Sequence, residues 1–212
     1  AETIKQGRAA LQLNISKLKE FNGTKEEEKR LVSEMNDTYG TTMGYFSSVS
    51  DWYKTLIANS EAYCRQLVLE ADARRLANQI AELREENHNI RYDETGKPRK
   101  HSYVSGTTVE IEKGLGRQQY LLNSPTQGYH ISEETFRKMQ KEGKLRQDKT
   151  DPNVYHVLEG SDWDKANKAV EQNNKEIAAK QKQLDKTVAA MGKITYKRRG
   201  SKTRPDAPVA TP

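Results

Sequence analysis

A chain of 212 residues can bury a sizeable core, but 33% hydrophobic and 31% charged residues leave too little apolar surface to offset chain entropy in one spherical domain. The single cysteine, Cys64, excludes an intramolecular disulfide framework, and no apolar run approaches the roughly 18 residues of a membrane-spanning helix. The net charge of +6 is unevenly placed: residues 1–90 balance to −2, 91–160 to +2 and 161–212 to +6. Helices with one narrow apolar stripe fold from such a composition by pairing along their length. The expected class is therefore mainly α, an elongated antiparallel coiled-coil or helical hairpin with a small α+β insert.

Residues 1–47 read as a short helical hairpin and elbow. Ile4, Leu11, Ile15 and Leu18 share one helical face, and Asn22-Gly23 is a stop. Thr24 with Glu27 forms a capping box, while Glu26, Glu27 and Glu28 complement the amino-terminal dipole of a second helix. That helix is expected to present Leu31, Met35 and Thr38 and to end near Tyr39-Gly40.

Residues 48–91 read as the long helix of the hairpin, capped by Ser48 or Ser50 and free of Pro and Gly for about 40 residues, or ~60 Å. Trp52, Leu56, Tyr63 and Leu67 open its stripe. Leu69, Ala73, Leu76, Ile80 and Leu83 continue it with heptad spacing, the pattern of a coiled-coil seam.

Residues 92–160 read as the insert. After the turn-rich DETGKPRK stretch, short strands are expected at Tyr103-Val104, 107–111 and 119–122. A helix follows from Ser132 to Lys141, ended by Gly143, and then a hairpin of 144–147 with 154–158 around Thr-Asp-Pro-Asn. Residues 161–192 read as the return helix, with Ala166, Val170, Asn173, Ile177, Leu184, Val188 and Met191 on its seam and Lys180 as the polar exception. Residues 193–212, basic and then Pro/Ala-rich, read as a disordered tail or linker. Opening at Ala1 and closing on that stretch, the chain reads as a segment of something longer.

The residues nominate no catalytic group, no cofactor site and no metal ligands. His88, His101, His130 and His156 lack metal-ligand spacing, and Gly114-Leu115-Gly116 lacks the third glycine and the βαβ unit of a dinucleotide loop. Cys64 lies beside the apolar stripe as a small hydrophobe. The helix at 132–141 and the following hairpin have the outline of the last helix and wing of a winged-helix fold, but nothing before Ser132 supplies the earlier helices. Glu133, Glu134 and Glu142 also oppose phosphate approach there. The basic residues Lys197, Arg198, Arg199, Lys202 and Arg204 are the candidate polyanion contact. Six aromatic residues, Tyr39, Tyr45, Phe46, Trp52, Tyr53 and Tyr63, concentrate within 39–63 and are expected to pack as a local core that fixes the elbow.

The run from Leu31 to Leu83 resembles a segment of tail tape-measure proteins from phages and prophages of Bacteroidales bacteria. The specific part is the elbow: Asn36, Tyr39-Gly40, Gly44-Tyr45, Ser50-Asp51-Trp52-Tyr53, Leu56-Ile57, Asn59-Ser60 and Tyr63. The resemblance implies a non-enzymatic virion structural protein that sets tail length inside the tail tube. It would assemble in the bacterial cytoplasm with copies of itself and other tail proteins, without membrane contact from this segment. Its structural and interaction residues would be Tyr39, Gly40, Tyr45, Trp52, Tyr53 and Tyr63 at the elbow, with Leu69, Leu76, Ile80, Leu83, Ile177 and Leu184 on the seams. Two readings from other classes stand beside it: a nucleic-acid-binding module carried on a coiled-coil hairpin, and a bacterial coiled-coil scaffold or adaptor.

Overall fold

A computed structural model describes residues 2–102, 106–114 and 116–205. In chain order the elements are α1 (Glu2–Lys19), α2 (Lys25–Met43), α3 (Val49–Arg91), β1 (Thr108–Lys113), β2 (Gln118–Asn123), β3 (Gly128–Ile131), α4 (Glu133–Lys141), β4 (Leu145–Gln147), β5 (Val154–Val157) and α5 (Asp162–Gly192). The chain is thus mainly helical with a five-stranded antiparallel sheet. It divides into two units, 1–79 with 180–212, and 80–179.

The first unit is built on a core of Leu11, Leu18, Val32, Met35, Tyr39, Met43, Val49, Trp52 and Leu56, contributed by α1, α2 and the start of α3. Thr24 caps α2 by accepting from the Glu27 amide, and of the two candidate serines Ser48 caps α3, accepting from Asp51 N at 3.2 Å. Two expectations about α2 are corrected. Its helix runs past Tyr39-Gly40 to Met43 and stops at Gly44, whose φ of +85° suits glycine. Thr38 is exposed, with its hydroxyl bonded to the Glu34 carbonyl at 2.9 Å, because the helix turns a different face to the core: Val32, Met35, Asn36, Tyr39, Gly40 and Met43.

Within this unit Lys180 Nζ donates to Gln79 Oε1 at 3.0 Å, and Ala58, Ala62 and Arg65 share a cleft with Ala190 and Lys193, so residues 180–192 run antiparallel to this part of α3. Leu76 is buried and Leu69 and Leu184 are half-buried, but Val188 is 55% exposed. The turn of α5 there brings Thr187 to the half-buried line, where its hydroxyl bonds the Gln183 carbonyl within the helix.

The second unit holds the sheet, ordered β3-β2-β1-β5-β4. Its register pairs Val109 with Leu122 and Tyr155, Ile111 with Tyr120, and Leu145 with Val157, which gathers the apolar residues on one face. Helix α4, capped by Ser132, lays Phe136 on that face: its ring stacks on Tyr120 at 4.5 Å and meets Tyr155 edge-on at 5.2 Å. A single helix on a sheet replaces the winged-helix outline. The strands expected at 107–111 and 119–122 are β1 and β2, each slightly displaced, whereas β3 had no expectation, and Tyr103-Val104 lies outside the described residues. Ile80 and Val170 are buried in this unit, with Leu83 and Ile177 half-buried. Here Asn173 Nδ2 donates to Asn87 Oδ1 at 3.0 Å, and Asn87 Nδ2 donates to Asn174 Oδ1 at 2.9 Å.

The expected disordered tail is corrected over residues 193–205, which fold onto the first unit; residues 206–212 lie outside the described set.

Candidate interaction site at the elbow and strap

The α2–α3 connection turns on Asn36. This residue sits on the buried stripe of α2 and is 1% exposed, so its amide must find partners inside the protein. It donates to the Phe46 carbonyl at 3.0 Å and accepts from Phe46 N at 3.1 Å and from Trp52 Nε1 at 3.0 Å. One side chain therefore fixes both the loop backbone and the first turn of α3. Trp52 is fully buried, with Phe46 edge-on at 4.9 Å and Tyr39 tilted at 6.1 Å, and Tyr39 meets Tyr63 edge-on at 5.2 Å.

Asn14 donates to the Tyr39 hydroxyl at 2.7 Å, while burial raises the pKa of that phenol and of Tyr63 above the ordinary tyrosine value. Gly40 is where the Tyr45 ring rests: a Cβ there would stand 2.2 Å from Tyr45 Cε1. Its absence of a side chain serves packing, not helix termination. Tyr53 is half-buried against the same core.

Residues 193–205 form a strap across this elbow. Asn59, buried on the stripe of α3, repeats the device of Asn36: it donates to the Lys197 carbonyl at 2.8 Å and accepts from Lys197 N at 2.7 Å. Tyr45 and Ser201 exchange backbone bonds of 2.9 Å in both directions, and Gly200 N donates to the Met43 carbonyl at 2.9 Å. The backbones approach so closely that a Cβ on Gly200 would lie 2.4 Å from Tyr45 O, and one on Gly44 would lie 2.6 Å from Gly200 N. Tyr196 donates its hydroxyl to Gln66, and burial, with Tyr63 and Glu70 nearby, pushes its pKa up to about 12.

Arg204 closes the strap, with Nη1 2.5 Å from Asp37 Oδ1 and Nη2 donating to Ser33 Oγ at 3.0 Å. It is thereby separated from the other candidate polyanion residues. Lys197, Arg198, Arg199 and Lys202 are exposed and make no ion pair among the described residues.

The sequence-derived elbow residues Tyr39, Gly40, Tyr45, Trp52, Tyr53 and Tyr63 are brought together. The roles of Asn36, Asn59 and Gly200 were not read from the sequence. The available signal was a polar residue interrupting an apolar helical stripe: Asn36 between Val32 and Tyr39, and Asn59 between Leu56 and Tyr63.

The histidines are dispersed. His88 stacks on Tyr92, His101 contacts the Ile90 carbonyl at 3.1 Å, His130 lies 3.7 Å from Glu112 and His156 lies 2.8 Å from Asp148. Among the described residues no cluster of three or more His, Cys, Asp or Glu could hold a metal ion. No protein-family model, curated protein or solved structure matches this chain.

Proposed function

We propose that the chain is a structural segment of a phage tail tape-measure protein, non-enzymatic, that sets tail length and assembles in the tail tube with copies of itself and other tail proteins. The observation that carries this reading is what the resembling residues do. Asn36, Tyr39, Gly40, Tyr45, Trp52, Asn59 and Tyr63 are buried or half-buried around one elbow, which supports reading this pattern as a structural joint. The 43 residues of α3 also match a role in which length matters, since an uninterrupted helix of that size extends about 65 Å.

As part of this reading, residues 50–90 and 162–191 pair as an antiparallel coiled-coil hairpin. The buried Leu76, Ile80 and Val170 and the polar pairs Gln79 with Lys180 and Asn87 with Asn173 support the pairing. Mixed apolar and amide contacts are a recognised way of fixing register along such a seam.

The test uses the phage or prophage whose genome carries the sequence. Mass spectrometry of purified tails should find peptides of this chain, and an in-frame deletion of its coding segment should give uniformly shorter tails. Absence from purified tails, or unchanged tail length after the deletion, would overturn the proposal.

A further inference from the structure

We propose that the strap is a docking surface for the phosphate backbone of nucleic acid, sequence-independent and built from Lys193, Lys197, Arg198, Arg199 and Lys202. This inference stands on the strap alone and does not depend on the tail reading. A free basic tail would lose conformational entropy on meeting a polyanion, whereas this segment is already held by Asn59, the paired Tyr45 and Ser201 backbones and the inward Arg204. Its five outward cations are exposed and unpaired among the described residues, so no internal salt bridge has to break before a ligand binds.

Two of the clefts along the strap take four of the five cations. Lys193 and Lys197 join Arg65 and Thr195 around a cleft of about 320 Å³, in which Glu61 is the one acid of the lining. Arg199 and Lys202 join Thr41 and Thr42 around another of about 400 Å³, with no acid in its lining. The positive φ of Arg198, +52°, marks the bend between the two sets. A small anion would engage one cleft only, while a polymer of closely spaced charges reaches both.

Hydroxyls beside Lys and Arg suit phosphate oxygens, which accept from both kinds of donor. A membrane surface fits less well, because none of the exposed large hydrophobic residues, Leu13, Ile57, Tyr92, Tyr129 and Val188, belongs to the strap. The aromatic residues beside these cations are held within the unit: Tyr196 faces Gln66, and Tyr45, half-buried in the second cleft, rests its ring on Gly40, which favours backbone contact over base stacking and argues for binding without sequence readout.

The test is fluorescence anisotropy of the full chain with labelled 20-nucleotide single-stranded and duplex DNA. Binding in the micromolar range at 50 mM NaCl should weaken on the order of 100-fold at 200 mM if about four phosphates are neutralised. The variant Lys197→Gln, Arg198→Gln, Arg199→Gln, Lys202→Gln should lose most of the affinity and most of the salt dependence. A control with the same charge change, Lys5→Gln, Lys17→Gln, Lys19→Gln, Lys25→Gln, should bind within about twofold of the original, with circular dichroism showing both variants folded. Equal losses in the two variants would reduce the effect to net charge and overturn the proposal. So would undetectable DNA binding at 50 mM NaCl, or tighter binding to poly-glutamate or to phosphatidylserine vesicles.

Discussion

Asn36 shows how one buried polar residue can carry more structure than the aromatic rings around it. The rings give burial without direction, whereas the amide gives three directed bonds, to Phe46 N, Phe46 O and Trp52 Nε1. Replacing it with Leu keeps the branched outline of the side chain and leaves those three partners without the amide, where each unsatisfied buried group costs about 1 to 3 kcal/mol. In a Trp163→Phe background, Asn36→Leu should therefore lower the unfolding free energy by about 3 kcal/mol in urea titrations and shift Trp52 emission to longer wavelength. A stability within about 1 kcal/mol of the original would show that the amide bonds do not hold the elbow.

The same residue marks the limit of what the sequence displays. Hydrophobic periodicity places Trp52, Leu56 and Tyr63 on one face without further information, because an apolar side chain needs only to leave water. An amide partner ten or sixteen residues away, or for Asn59 one 138 residues away, is fixed by tertiary geometry that no local spacing encodes.

At the scale of elements, the strap is where composition misleads. A run of Lys and Arg with Gly and Pro reads as solvated chain, yet the backbones of Lys197, Gly200 and Ser201 are hydrogen-bonded to Asn59, Met43 and Tyr45, and Gly200 is the residue whose lack of Cβ lets two backbones touch. Tyr196 supplies a handle on this docking. Burial raises its folded pKa to about 12 from an ordinary value near 10, so its contribution to docking is fully present below about pH 10 and is lost as pH rises through about 12. Hydrogen exchange, corrected for the intrinsic rise with pH, should show the amides of Lys197 and Ser201 losing protection across that window. Tyr196→Phe should remove the pH step, and a step that persists in this variant would assign it to another group.

The long helices were more legible, because heptad spacing depends only on local repetition. Even so, the phase near Val188 was set by the turn of α5 and not by apolarity, which put Thr187 on the half-buried line. Leu76→Asp with Ile80→Asp would bury two carboxylates at well-enclosed positions of the proposed seam. The thermal midpoint should fall by 10 °C or more, on the order expected from several kcal/mol. An unchanged midpoint would count against the proposed pairing.

On the scale of the whole molecule, both ends of the sequence contribute to one unit and the middle forms the other, the boundaries falling inside α3 and inside α5. The change of texture after Tyr92 made the sheet region visible in the sequence. It did not reveal β3, whose Gly128, Tyr129 and His130 are exposed and so carry no alternating apolar signal. Each unit has its own core, with no residue in common: Trp52 and Leu56 belong to one, Val109 and Phe136 to the other. Separate cores predict separable unfolding. Val109 is fully buried, and Val109→Asp would place an unpaired carboxylate in the core it shares with Tyr120, Phe136 and Val157, at a cost of several kcal/mol.

In a Trp163→Phe background, where Trp52 is the one tryptophan, this variant should lose the sheet contribution to circular dichroism while keeping the short-wavelength emission and urea midpoint of Trp52. A red-shifted Trp52, or a lower Trp52 midpoint, would mean that the elbow draws its stability from the sheet unit and that the two cores fold as one.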